Sequence, residues 1–358
     1  MGEVIKGRGS TGYLPGRFAT TTAETLDDGW HERDQEDAIV SAPRTQLREE
    51  RARSIISRNT SPDIPFSQSL NPYRGCEHGC SYCFARPSHA YLDLSPGLDF
   101  ETQIFAKTNA PELLRRELSR RGYQAQPIAL GINTDAYQPS ERKLQLTRRI
   151  IEVLAETRHP FSLITKNALV ERDLDLLQPM AQANLVQVYF SVTTLDNSLS
   201  AQLEPRASAP HARLRAMRRL SQAGVPVGVM FAPVIPWVND AELEAVLEAA
   251  REAGADSAGY VLLRLPHEVS PLFRDWLQKH LPERAEHVMS TVQQLRGGKD
   301  YDARFGKRFS GEGVYADLLA RRFALARQRL GFDRGKHQGL DCSQFIAPRR
   351  PSAQGELF

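Results

Sequence analysis

Past residue 100 the chain alternates between two patterns of apolar residues. Short runs that are apolar at almost every position are separated by longer stretches in which apolar residues recur every third or fourth position. The runs TQIFAK (102–107), PIALGIN (127–133), FSLIT (161–165), LVQVYFSV (185–192), VPVGVMFAPVI (225–235) and AGYVLLRL (258–265) predict strands. Being apolar on both faces, they suit a parallel sheet covered on each side. The stretches between predict helices: one opened by Pro111, where a missing N–H costs nothing, and others near 141–157, 173–182 and 209–223. Gly224 is the expected C′ residue of the last of these, and Asn239 or Asp240 the expected cap of a helix ending near Gly254. Repeated strand-then-helix units imply right-handed crossovers and a parallel sheet curling toward a barrel, with ligands at the C-terminal strand ends. Asn133, Thr134 and Asp135, then Thr165 and Lys166, then Ser191 and Thr193 fall at those ends.

The flanks read differently. Residues 1–60 are polar and mostly aperiodic, so a partly disordered extension is expected, with order beginning near SPDIPF and a core domain over 61–280. Residues 281–345 predict a basic, mainly helical region, and 346–358 a flexible tail. At 358 residues, 41% hydrophobic and 25% charged, the chain can bury one large core and is not wholly disordered. MGEVIKGRGSTG lacks the apolar run of a signal peptide, and Lys6 stands where myristoylation needs Ser or Thr. No run of about 18 apolar residues occurs, so a cytoplasmic protein without a membrane span is expected.

The net charge of +3 says little by itself, but its distribution is uneven. Residues 296–350 hold 13 Lys and Arg against 6 Asp and Glu, with Tyr301, Phe305, Phe309, Tyr315 and Phe323 interleaved. That composition suits phosphates and stacked bases. It equally suits an amphipathic helix whose arginines face water, as ARRFALARQRL (320–330) scans.

Three of the four cysteines lie in NPYRGCEHGCSYCFARP (71–87), spaced C-x3-C-x2-C at Cys76, Cys80 and Cys83. Cys342 stands alone and reads as an ordinary free thiol. In a reducing compartment, clustered thiols suit metal or redox chemistry better than disulfides. Zinc wants four ligands, which His78 or His89 would have to complete. A cubane iron–sulfur cluster held by three thiolates leaves one iron open to a bidentate small molecule.

With Tyr82 just before the third cysteine, this spacing resembles the signature of the radical S-adenosylmethionine (SAM) superfamily. The resemblance implies a partial (β/α)6 TIM-type barrel and two cofactors: a [4Fe–4S] cluster on Cys76, Cys80 and Cys83, and SAM chelated through its amino and carboxylate groups. It also implies reductive cleavage of SAM to a 5′-deoxyadenosyl radical that takes hydrogen from substrate. NPYRGC, GINTDAYQP (131–139), TKN (165–167), SVTTLD (191–196), EPRA (204–207) and APVIPWVND (232–240) resemble the branch related to spore photoproduct lyase, over about residues 60–280. On that resemblance Tyr82 lies beside adenine, Lys166 pairs with the SAM carboxylate, Ser191 meets the ribose and Thr134 the methionine end. Asp135 orients SAM or substrate, and Arg206 supplies a further charge or a salt bridge to a neighbouring helix. The lyase's second-strand cysteine, a hydrogen-atom donor, is replaced here by Asn133, and Tyr137 and Tyr189 are candidate donors in its place.

The last residues, QGELF, resemble the peptide that docks bacterial repair factors on the DNA sliding clamp, with Gly355 in place of the usual Leu. The expected function is therefore a radical SAM enzyme acting on damaged or modified nucleic acid, reduced by a donor such as flavodoxin or ferredoxin. The alternatives are radical SAM modification of a protein or metabolite, and a non-catalytic zinc-bearing nucleic-acid-binding protein.

Overall fold

The computed structural model describes residues 4–19, 43–332 and 339–349. Residues 20–42 of the polar extension and the QGELF end, on which the expected disorder and clamp docking fall, lie outside the described residues. Ten strands are described: β1 (Gln46–Glu50), β2 (Ile56–Arg58), β3 (Gln68–Leu70), β4 (Tyr73–Arg74), β5 (Gln103–Lys107), β6 (Ile128–Leu130), β7 (Phe161–Thr165), β8 (Val186–Ser191), β9 (Val227–Val234) and β10 (Ser257–Leu262).

The main sheet has the order β10-β9-β8-β7-β6-β3-β2. Its six strands β3 and β6 to β10 run parallel, and β2 closes one edge antiparallel to β3. Among the described residues β10 does not pair with β2, so the sheet is the expected partial barrel rather than a closed one. Leu130, Leu163, Val188, Phe190, Val229 and Phe231 are buried from the sheet. Ile150, Ile151 and Leu154 from the helix Leu146–Glu156 join them, as do Val246 and Leu247 from the helix Leu243–Glu252. Each such side chain contributes about 1.5–3 kcal/mol through removal from water.

Four expectations are corrected. TQIFAK forms β5, but in a small separate sheet of order β1-β5-β4, because its neighbours by hydrogen bonding are β1 and β4. Order begins well before Ser61: β1 and β2 are held by backbone pairing with β5 and β3, which needs no apolar periodicity. The helix expected over 141–157 is split at Gln145, which takes φ 49°, and the Glu141 carboxylate accepts from Thr147 N at 3.0 Å to cap the second piece. Asn239 stands at the N-cap position of the 3-10 turn Asp240–Glu242 ahead of the helix, but its side chain makes no cap. Its amide accepts from Ile235 N at 2.7 Å and donates to Thr193 O at 2.7 Å, bracing the end of β9.

A second apolar cluster joins Cys80 and Tyr82 to Leu203, Ile235, Leu263 and the helices Val269–His280 and Ala285–Gln294. The C-terminal region is thereby fixed beside the cysteine loop. The helix Val314–Leu330 spends two of its arginines on a barrel helix, Arg322 on Glu244 at 2.6 Å and Arg329 on Glu248. Residues 341–346 lie at the opposite end of the barrel, where Ile346 N donates to Thr157 O ahead of β7 and Asp341 N to Asn184 O ahead of β8. Among the described residues no helix is long and apolar enough to cross a membrane.

Candidate functional site

The cysteine loop leaves β4 through Gly75, whose φ of +77° suits glycine and whose missing Cβ would lie 2.9 Å from Phe100 O. The loop is pinned from beneath by a buried ion pair. Arg86 donates to Cys80 O at 2.9 Å and to Glu101 at 2.5 Å, while Glu101 accepts from Gly9 N and Ser10 N at 3.0 and 2.9 Å. Cys76 N donates to Phe100 O at 2.9 Å. A buried ion pair stabilises only when its remaining hydrogen-bonding sites are filled, as these are.

All three loop cysteines are free thiols, Cys76 and Cys80 buried and Cys83 half-buried. Burial pushes the Cys80 thiol up to about 12, against the pull of Lys166, and raises Cys76 as well, where Asp135 and the other two thiols add to it. Thiols held in the neutral form by burial and by neighbouring negative groups, as Cys76 and Cys80 are, form a set that a cationic metal centre would ionise. Among the described residues no group of three or more His, Cys, Asp or Glu converges as the ligands of one metal ion. His78 turns instead to Asp135, with Nδ1 3.4 Å from Oδ2, and buried His89 lies edge-on to Phe100 with Nε2 3.1 Å from Gln103 O. With both histidines engaged elsewhere, the donors on this loop are three thiols, the ligand type of an iron–sulfur cluster.

The strand ends close over this loop. Asp135, after β6, accepts from Thr165 Oγ1 (2.7 Å), Tyr137 N (2.8 Å) and Lys166 N (2.8 Å). Burial alone would raise its carboxyl, but His78 and these donors hold it at about 2. Asp135 thus ties β6, β7 and the cysteine loop together. Thr134 donates to Gly75 O at 2.7 Å and Ser191 to Ala232 O at 3.0 Å, so both hydroxyls are anchored in the scaffold. Arg206 pairs with Glu77 of the cysteine loop at 3.2 Å and donates to Thr45 at 3.0 Å, a salt bridge to the loop rather than to a helix.

Lys166 stands apart. Its Nζ lies 5.9 Å from the centre of the Tyr82 ring and makes no hydrogen bond or ion pair among the described residues. Burial works against its charge, but Cys80 and Glu204 raise its pKa above the ordinary lysine value. Tyr82 donates to Glu204, which also accepts from Thr193 at 2.5 Å and pairs with buried Arg213. Arg213 in turn donates to Ser191 O at 2.8 Å. Sequence reasoning passed over Glu204 and Arg213, although Glu204 opens the EPRA motif. Asn133 is exposed at the end of β6, while the Tyr137 hydroxyl is fully buried on Asp173 at 3.0 Å, so the site gathers the first and not the second. Tyr189 is half-buried on β8.

The family model for the radical SAM superfamily matches residues 70–250, and the chain belongs to that superfamily. Its cofactors, a [4Fe–4S] cluster and SAM, agree with the thiol set and with the vacant cation beside it. An uncharacterised protein of Mycobacterium tuberculosis is 40% identical over 222 residues, covering 62% of this chain and 65% of the relative. The chain thus matches somewhat less than two thirds of that relative's length. An uncharacterised protein of Methanocaldococcus jannaschii is 25% identical over 219 residues, covering 61% of this chain and 78% of the relative. Spore photoproduct lyase shares the fold at a TM-score of 0.57 and 15% identity, over 79% of each chain. A second structure of that lyase, solved with bound AdoMet and a dinucleoside spore photoproduct, matches at 0.56 and 14%, again over 79% of each.

Proposed function

We propose that Cys76, Cys80 and Cys83 hold three irons of a [4Fe–4S] cluster whose fourth iron takes SAM, and that the enzyme abstracts hydrogen from a nucleic acid. The observation that carries this reading is the pairing of three free thiols on one loop with an ammonium, Lys166, that makes no ion pair among the described residues, at the adjoining strand end. When bound, the cofactors supply reductive cleavage of SAM and the hydrogen-abstracting radical.

The chain's own residues bind and position. Lys166 meets the SAM carboxylate as a flexible point charge. Tyr82, oriented by Glu204, walls the adenine side, and Thr134 and Ser191 offer hydroxyl lone pairs toward the methionine and ribose ends. Asp135 acts through others: by fixing Lys166 N and His78 it holds the cation and the loop in register. Arg206 clamps the loop from its far side.

The nucleic-acid substrate is supported by the basic, aromatic-rich stretch after residue 296 and by likeness in fold to a lyase solved with a dinucleoside product. A flavodoxin- or ferredoxin-type donor, a cytoplasmic setting and clamp docking through QGELF belong to the same reading.

The test is anaerobic reconstitution with iron and sulfide, followed by a strong reductant and SAM. The protein should bind iron and acid-labile sulfide and release 5′-deoxyadenosine. Zinc without sulfide, or a loaded cluster that never cleaves SAM, would refute it.

A further inference from the structure

The end of β10 carries a guanidinium that no carboxylate among the described residues neutralises. Arg264, two residues beyond the strand, lies with its guanidinium carbon 5.1 Å from the Phe84 ring centre and 4.7 Å from that of Phe309. Arg308 continues the series, 4.9 Å from Phe309 and 5.0 Å from Phe305. Rings and guanidinium groups therefore alternate from Phe84, the residue after Cys83, outward to Phe305. Both end rings are open to solvent, Phe84 at 40% and Phe305 at 58%.

Charge in this stack is unbalanced at one place. Arg308 is paired with Asp63 at 2.5 Å, and the other acids nearby are taken: Asp302 by Arg304 at 2.5 Å and Asp300 by Arg274 at 2.6 Å. Arg264 forms no ion pair among the described residues. Among the described residues it donates only to the Tyr301 hydroxyl at 3.3 Å, and its buried Nε finds no partner there. Fully buried Arg296 stands close by, holding Leu263 O and Lys307 O at 2.8 and 2.7 Å. Burial and then the charge of Arg264 depress its pKa to about 10, against a weaker opposing pull from Asp302, which is itself paired with Arg304. A half-buried guanidinium left with an unmatched donor is costly unless an anion completes it.

We infer that Phe84, Arg264, Phe309 and Phe305 form a binding groove for a single-stranded nucleic acid. Arg264 takes a backbone phosphate, and the open faces of Phe84 and Phe305 stack bases on either side of it. An aromatic face bonds any base and a guanidinium fits a phosphate, so the chemistry selects a strand with phosphates and bases together rather than an anion alone. Phe84 brings the bound strand to the cysteine loop itself. The groove deepens the nucleic-acid reading proposed above and is measured independently of SAM cleavage.

The test is fluorescence anisotropy of labelled single-stranded DNA and RNA oligonucleotides on the reconstituted holoprotein over a series of salt concentrations. Arg264→Gln should reduce the slope of log affinity against log salt by about 0.7, the share of one phosphate on a single strand. Phe305→Ala, on an exposed side chain, should weaken binding about fivefold or more, with little effect on an abasic oligonucleotide. In both variants iron content and SAM affinity should match the parent, and a preference for DNA or RNA would name the sugar. Unchanged slope and affinity in both variants would overturn the groove. So would a loss of SAM affinity in Arg264→Gln, which would place that residue in the SAM pocket, or equal displacement by polyglutamate, which would make the occupant an acidic peptide. Failure here would leave the radical SAM reading standing, whereas absent 5′-deoxyadenosine with intact oligonucleotide binding would do the reverse.

Discussion

Among the described residues Lys166 is a cation without an acid of its own, at the point where Asp135 fixes its backbone and Tyr82 faces its ammonium. Glu204, the carboxylate that most raises its pKa, is already committed to Arg213, Thr193 and Tyr82. Removing the ammonium should therefore cost ligand affinity rather than fold. Lys166→Ala is expected to keep iron and sulfide at the parent level and to weaken SAM binding by roughly tenfold or more, the worth of one charge-assisted hydrogen bond. Equilibrium dialysis checks it, and parental affinity would refute the role. Lys166 was legible because TKN places it at a strand end in one contiguous motif. Glu204 was not, because its partners Tyr82 and Arg213 lie 122 and 9 residues away and only the folded chain brings all three together. Arg86 and Glu101 escaped notice for the same reason: nothing in a one-dimensional pattern marks a buried ion pair before its two halves meet.

Among the elements, the parallel strands were the easiest to read, since burial on two faces leaves a continuous apolar run that a solvent-facing strand lacks. Membership in a particular sheet was not legible, and so β5 was placed with the barrel. The break at Gln145 was hidden because Leu144 is the one apolar residue of the first piece, too little to set a period of its own. At the opposite end from the site, His159 packs under residues 341–346, with Phe345 5.3 Å from its ring, the Tyr123 hydroxyl 2.9 Å from Nε2 and Pro160 O 3.0 Å from Nδ1. Burial lowers its pKa from 6.5 to about 4. The unfolded chain thus takes up a proton below about 6.5 that the folded chain refuses until about 4. Stability contributed by the neutral ring is present above 6.5 and is lost as pH falls between those values, by up to roughly 3 kcal/mol. Urea unfolding of the apoprotein should show the midpoint falling across this window, and His159→Asn should flatten the fall. An equal slope in the variant would assign the effect elsewhere.

At the scale of the whole molecule, the open edge of the barrel, the cysteine loop and the C-terminal helices meet on one face, and residues 341–346 lie on the other. This arrangement followed only in outline from the sequence. The basic stretch after residue 296 was visible as composition, but that two of its helix arginines are spent on Glu244 and Glu248, and that Arg264 at the β10 end forms no ion pair among the described residues, required the fold. The central claim is that three thiolates leave one iron free for SAM. Electron paramagnetic resonance of the reduced, reconstituted protein tests it most directly. The account predicts a [4Fe–4S] signal whose g-values shift when SAM is added and stay fixed with 5′-methylthioadenosine, which lacks the amino and carboxylate groups. A signal indifferent to SAM, or no cluster signal in protein loaded with iron and sulfide, would contradict it.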